Sequence, residues 1–278
     1  APRRRILLMR CVLTLRRSEW VVVAYFAYAA VLAQALPLEP PIPTVTFALN
    51  AAIIATYFLL GYADSLRRAR FLGAVRDWYP FPLVLLAYRE MGWFAPAEHT
   101  FALERAWVVW DKLFLNEWGG RALIESLGPV VPSILEISYS LVYAIPHFSM
   151  AMIYAYRRRD RAEEFLFPFL LSVMLCYSLF PYFPSEPPRT VFPGEDFPSW
   201  NTIFRRFNWG LLGGYGIHTS VFPSAHVTAA FAAAFAVWRV LAERKWVGRA
   251  VLLLAVLIAA ATVYGRYHYL VDAMAGFG

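Results

Sequence analysis

Charge is scarce in this sequence. Only 16% of its 278 residues are Asp, Glu, Lys or Arg, whereas 60% are hydrophobic and the mean hydropathy is +0.49. Soluble domains carry about a quarter charged residues, so a water-soluble globule is excluded first. Cysteine is nearly missing too. Cys11 and Cys176 lie far apart, neither in metal-ligand spacing, so a cysteine-based metal site is excluded and the redox compartment stays open. No cleavable signal peptide, internal repeat or low-complexity tract stands out. The net charge of +7 sits in short loops between apolar runs, which argues for membrane topology and against nucleic-acid binding.

What is present is a series of apolar stretches, each about 20 residues long, the length a helix needs to cross a bilayer. Lipid leaves no partner for an open sheet edge, so the expected fold is all-α, a polytopic helical membrane bundle. Residues 1–19 carry Arg3, Arg4, Arg5, Arg10, Arg16 and Arg17 among apolar groups, the pattern of an amphipathic helix on an anionic membrane face. Spans are expected at 20–36, 44–62 and 78–94, the last containing Arg89 and Glu90. Residues 98–118 alternate apolar and charged groups at helical spacing, with Trp107, Trp110, Phe114 and Trp118 on one side, as an interfacial helix would. Further spans are expected at 129–154, 163–183, 223–241 and 247–264, with a polar, aromatic, Gly- and Pro-rich loop over 184–220. The closing segment, 267–278, reads as the start of another helix, too short to cross as it stands. The chain thus divides into 1–128, holding the amphipathic segment, early spans and interfacial helix, and a core at 129–278 with a truncated last helix.

Arg and Lys cluster at the N-terminus and in the loops at 63–77, 157–161 and 239–249. If these face the cytoplasm, the spans alternate correctly, and Ser224, His226 and His268 fall on the extracytoplasmic side.

Polar groups at span mouths are costly and need an account. "FPSAHVTAAF" puts Ser224 and His226 just after Pro223, at the head of an apolar run. "YHYLVDAM" puts Asp272 four residues after His268, a spacing that shares one helix face. A carboxylate there can fix the ring tautomer, leaving the far nitrogen to attack phosphorus or act as a base. The second histidine can protonate a leaving oxygen. Ser224 and the backbone N–H groups of the helix start can bind a phosphoryl oxygen. Each residue also has a plain structural reading: Ser224 as an N-cap, Pro223 as a helix starter, the histidines as packed polar groups.

These residues resemble the second and third signature motifs of the type 2 phosphatidic acid phosphatase (PAP2) superfamily. Pro223, Ser224, Ala225 and His226 match its PSGH, and His268 and Asp272 match the end of its SRxxxxxHxxxD. The resemblance implies a PAP2-like core of about six spans, with extra N-terminal helices. It implies His268 as the nucleophile of a phosphohistidine, Asp272 as its orienting partner and His226 as general acid. Ser224 would bind phosphate. The third-motif Ser and Arg positions hold Ala261 and Thr262, and Arg266, two residues before His268, stands in as a phosphate-binding candidate. Arg189 is the candidate first-motif arginine, with Tyr182 at the lysine position and Thr190 in place of the motif's proline. This pattern is similar to the divergent branch that includes inositol phosphorylceramide synthases. His218 is a candidate for the substrate mouth.

The implied activity is a lipid phosphatase or phosphotransferase acting on a phospholipid head group, with no metal or other cofactor. Its partners would be a lipid phosphate, water or a hydroxyl acceptor, and the bilayer. A bacterial inner membrane is the implied residence. Two other readings stand beside it at this point. A transporter could relay protons through His, Asp and the intramembrane Glu90 and Glu136, or the His/Asp set could be an interhelical hydrogen-bond cluster in a non-enzymatic scaffold.

Overall fold

Long runs of Ala, Val, Leu and Phe broken by Arg-rich turns favour helices packed along their lengths, and helices are what form. The computed structural model describes residues 15–67, 69–94, 96, 99–217, 219 and 221–278. Among these there are fourteen α-helices and no strand. The first four are α1 (Arg17–Ala35), α2 (Ile42–Arg67), α3 (Arg70–Trp78) and α4 (Pro80–Phe94). Then come α5 (Ala102–Lys112), α6 (Gly120–Glu125), α7 (Val130–Ser140), α8 (Ile145–Ala155) and α9 (Ala162–Leu179). The last five are α10 (Pro188–Val191), α11 (Ile203–Tyr215), α12 (Ala225–Val240), α13 (Lys245–Tyr264) and α14 (Leu270–Phe277). The amphipathic helix expected at 1–19 lies mostly outside the described residues.

Four helical segments are long and apolar enough to cross a membrane: Arg17–Ala35, Ile42–Leu66, Arg159–Tyr182 and Lys245–Tyr264. Val130–Tyr143 and Ala225–Val240 are shorter apolar helices. This is the pattern of a multi-pass membrane protein. At 78–94 the structure forms α4, whose 15 residues rise about 22 Å, short of the roughly 30 Å hydrocarbon layer. The span expected at 129–154 is two α-helices joined by a 3₁₀ turn at Leu141–Tyr143. Pro146 has no N–H to return to Val142, so the α-helical ladder breaks there. The loop expected over 184–220 contains α10 and α11. Thr202 caps α11 by accepting from the Arg205 N–H at 3.1 Å.

The core is built around α9 and α12. Helix α9 packs on α1, α4 and α12, and α12 packs also on α8, α13 and α14. Phe165, Phe169, Leu170 and Val173 of α9 are fully buried. Helix α12 presents Ala230, Ala233, Ala234 and Ala236, small side chains that let neighbouring helices approach closely.

Charged pairs tie the first helices to this core at the end of α12 away from His226. Arg161 donates to the Val240 carbonyl at 2.6 Å, and Ser18 donates through its N–H to Glu163 at 2.7 Å. Asp77 accepts from Arg16 and the Tyr154 hydroxyl, both at 2.5 Å, and from Arg159 at 2.9 Å. Arg76 forks onto Glu19 at 2.7 and 2.6 Å and reaches Asp64 at 2.6 Å. Glu19 is 1% exposed. Glu19→Ala removes two charged hydrogen bonds from Arg76, which keeps Asp64, and costs about 1–3 kcal/mol. The expected outcome is a clear fall in the Tm of the purified protein in detergent. An unchanged Tm would mean that this pair does not hold α1 to α3.

Candidate active site

The site begins where two helix starts and one turn converge. Phe222–Pro223 is a cis peptide, and Ser224 caps α12 by accepting from the Val227 N–H at 3.4 Å. Ser224 is fully buried, and its own N–H donates to the Asp272 carbonyl at 3.0 Å. Thr228 donates to the Gly276 carbonyl at 2.9 Å. A Cβ on Gly276 would stand 2.5 Å from the Ser224 carbonyl oxygen, so only glycine lets α14 cross the start of α12 this closely.

This crossing brings the two histidines together edge-on, with ring centroids 5.4 Å apart at 62°. His268 Nε2 lies 3.4 Å from His226 Nδ1. His268 sits in the turn before α14 rather than on its face, since the helix begins at Leu270. Its Nδ1 is 3.0 Å from the Val221 carbonyl and 3.5 Å from Asp272 Oδ2. A carbonyl can only accept, so Nδ1 carries the proton and Nε2 keeps its lone pair. Burial, reinforced by the nearby Arg189 charge, pulls the His268 pKa down to about 3, so the ring is neutral near pH 7. Asp272 Oδ2 also accepts from the Tyr269 N–H at 2.9 Å, which fixes the carboxylate at the helix start.

His226 is held by stacking. Its ring lies on Tyr139 at 4.7 Å and 15°, and Tyr139 lies on Tyr267 at 4.1 Å and 21°. Tyr143 meets His226 edge-on at 5.9 Å. Tyr267 donates its hydroxyl to Glu136 at 2.6 Å, and Glu136 also accepts from Arg205 at 3.0 Å and Asn208 at 2.7 Å. Glu136 is therefore fully engaged in locking α7, α11 and the 265–269 turn together. Glu90 is likewise paired locally: the Asn50 amide, with its nitrogen turned toward the carboxylate, donates at 2.8 Å.

An apolar cleft of about 80 Å³ opens onto His226. Its walls are Val84, Leu85 and Tyr88 of α4, Val142, Tyr143 and Pro146 at the α7–α8 break, Phe169 and Tyr177 of α9, and Ala229 of α12. Helix α4, from the early part of the chain, thus forms one wall. His226 Nε2 has no hydrogen-bond partner among the described residues.

Two arginines belong to this region: the Arg189 charge acts on the His268 ring, and Arg266 precedes His268 by two residues. Arg189, in α10, donates its backbone N–H to the Arg266 carbonyl at 3.2 Å. Its guanidinium donates to the Tyr267 carbonyl at 3.4 Å and lies 5.6 Å above the Tyr267 ring. Arg266 has φ +61° and is fully buried. Its Nη1 donates to Asp111 at 2.5 Å, while Nε and Nη2 have no partner among the described residues. Asp111 accepts from the Leu270 N–H at 2.7 Å as well. Burial pushes the Asp111 pKa up to about 6 against the pull of Arg266. His218 lies outside the described residues.

The structure thus gathers His226, His268, Asp272, Ser224 and Arg189 around one crossing, with Arg266 in the His268 turn and its side chain on Asp111. Sequence reasoning missed Asp111 and Tyr139, and placed Glu136 only in a proton-relay reading, because their partners lie far away along the chain.

A family model described as the PAP2 superfamily matches residues 109–278, beginning inside α5 and ahead of position 129. A PA-phosphatase related-family protein of Dictyostelium discoideum is 28% identical over 126 residues, covering 42% of this chain and 21% of that protein. The chain spans about a fifth of that relative's length. No solved structure matches the chain. With well over half of its residues matched, including both histidines, the chain belongs to the PAP2 superfamily.

Proposed function

We propose that this protein is an integral-membrane, metal-independent enzyme that breaks a lipid phosphate ester through a phosphohistidine at His268. The observation that carries the reading is the 3.4 Å approach of His268 Nε2 to His226 Nδ1 at the end of an apolar cleft. The two rings, in hydrogen-bond contact in this structure, part to admit phosphorus between them. The His268 Nε2 lone pair forms the N–P bond as the P–O bond to the lipid breaks, and His226, which takes up a proton as the negative phosphate enters beside it, gives that proton to the leaving oxygen. Neutral His226 then takes a proton from water or an acceptor hydroxyl, whose oxygen displaces His268 from phosphorus. Val221 and Asp272 hold the His268 tautomer. Arg189, the free N–H groups of Arg266, Ser224 and the first N–H groups of α12 receive the phosphoryl oxygens.

Water as acceptor makes the enzyme a phosphatase; a lipid or polyol hydroxyl makes it a head-group transferase of the inositol phosphorylceramide synthase type. The burial of His268 favours an acceptor other than bulk water. The apolar cleft suits a substrate tail entering from the bilayer. The distance from His226 to the Arg-rich end of α12 supports an active site on the extracytoplasmic face, if the Arg-rich end faces the cytoplasm.

The test is head-group release by purified protein in detergent with EDTA present. The panel holds phosphatidic acid, phosphatidylglycerol phosphate, a polyprenyl diphosphate and phosphatidylinositol, each with and without ceramide or diacylglycerol. EDTA-resistant turnover of at least one lipid is expected, and its product with and without acceptor separates the two reaction types. Absence of turnover across the panel would count against the reading. The cleft adds a second expectation. Ala229→Phe fills the wall one turn from His226 and raises KM for a long-chain substrate about tenfold, with little change for a short-chain, water-soluble phosphate ester. Equal effects on both would mean that the cleft does not hold the tail.

A further inference from the structure

Helix α5 lies outside the signature motifs, yet it touches the start of α12, the Arg189 segment and the His268 turn. Trp107 stacks on Phe222 at 4.9 Å, next to the start of α12, and meets Tyr269 edge-on at 5.7 Å. Glu104 accepts from the Glu186 N–H at 2.9 Å, at the head of the Arg189 segment. Asp111 makes the deepest contact. One oxygen takes Arg266 Nη1, the other takes the Leu270 N–H, and both side chains of the ion pair are 0% exposed. His268 lies between those two anchored positions.

A fully buried ion pair is a poor stabiliser on balance, because desolvation cancels most of its attraction. Here it does something specific. Arg266 is held by one terminal nitrogen, which leaves Nε and Nη2 unpartnered in a buried place. Unsatisfied buried donors are costly and point to a ligand that completes them. A guanidinium anchored at one corner by a carboxylate presents its other edge in a fixed plane, and that edge matches two oxygens of a phosphoryl group.

We infer that Asp111 is a positioning residue for phosphoryl recognition: it fixes Arg266 so that Nε and Nη2 face the phosphoryl oxygens, and it pins Leu270 so that the His268 turn keeps its register. This rests on the proposed lipid phosphate chemistry at His268. Helix α5 is then part of the catalytic apparatus rather than a passive interfacial helix.

The experiment is a double-mutant cycle in full-length protein, using Asp111→Asn, Arg266→Gln and the double variant. The readouts are kcat and KM for the lipid phosphate that wild type turns over, and the inhibition constant of orthovanadate. Asparagine keeps an acceptor for Leu270 but loses the charge that holds Arg266. Asp111→Asn is expected to lower kcat/KM and weaken vanadate inhibition by about ten- to a hundredfold, the range for one charged hydrogen bond. If Asp111 works through Arg266, adding Asp111→Asn to Arg266→Gln produces little further loss. Without Arg266 to pull its pKa down, buried Asp111 protonates, so neither Arg266→Gln nor the double variant holds an unpaired buried charge, and this comparison stands even if Asp111→Asn alone folds poorly. Losses that multiply would overturn the inference, as would a lower kcat with unchanged KM and vanadate inhibition, the signature of a smaller folded fraction. In either case His268-dependent turnover in the wild type leaves the proposed chemistry standing. Absence of wild-type turnover overturns both.

Discussion

His268→Ala reduces lipid phosphate turnover by at least about a thousandfold, the scale on which a covalent nucleophile's loss is felt. The residue is 6% exposed and its ring makes two hydrogen-bond contacts, to the Val221 carbonyl and to His226 Nδ1, so its removal costs modest stability. Its main effect falls on chemistry: with Nε2 gone, no other described imidazole faces His226 across a gap of this size. The check is steady-state turnover alongside Tm, so that lost activity is separated from lost protein. Turnover in the alanine variant within tenfold of wild type would sink His268 as the nucleophile, and no rearrangement of roles would rescue it.

The second large effect belongs to His226→Gln. Glutamine keeps a polar side chain of similar reach beside Tyr139 but cannot deliver a proton. For an alkyl phosphate ester, whose leaving oxygen must be protonated, the expected loss in kcat is about 10²–10⁴-fold. For an aryl ester such as p-nitrophenyl phosphate the leaving group departs as an anion, and the loss shrinks by an order of magnitude or more. The comparison of the two substrates in one variant carries the information. An equal loss on both would show that His226 positions or packs rather than protonates. The stack of His226 on Tyr139 and Tyr267 makes that alternative concrete, because ring contacts alone could explain a polar side chain at this place.

Much of the helical plan was readable because membrane helices leave long apolar runs between Arg-rich turns. The segments at 163–183 and 247–264 emerge as α9 and α13 with small shifts at their ends. Failures cluster where local composition misleads. "IFRRFNWGLLGGY" looks like a loop because of its glycines and arginines. It folds as α11 because Thr202 caps it and Arg205 and Asn208 anchor it to Glu136. The break between α7 and α8 was available in Pro146, but an apolar run of full spanning length masked it. At the site, the four-residue spacing of His268 and Asp272 identified a pair that does meet, at 3.5 Å. The route differs from a shared helix face, since Tyr269 is the N-cap of α14 and Asp272 closes its first turn. Asp111 was beyond reach: its partner lies 155 residues on, and a lone acidic residue on an aromatic helix gives no hint of a buried arginine.

The central claim is a covalent bond between phosphorus and one imidazole nitrogen, and it has a direct test. Purified protein is mixed for milliseconds with a lipid phosphate labelled with ³²P in the transferred group, quenched in alkali, digested and analysed by mass spectrometry. Phosphate on the peptide carrying His268, stable to alkali and labile to acid, absent from His268→Ala and accumulating in the slowest acceptor conditions, is the expected result. Label found on another residue, or full single-turnover product release with no phosphoenzyme at any time point, would contradict it.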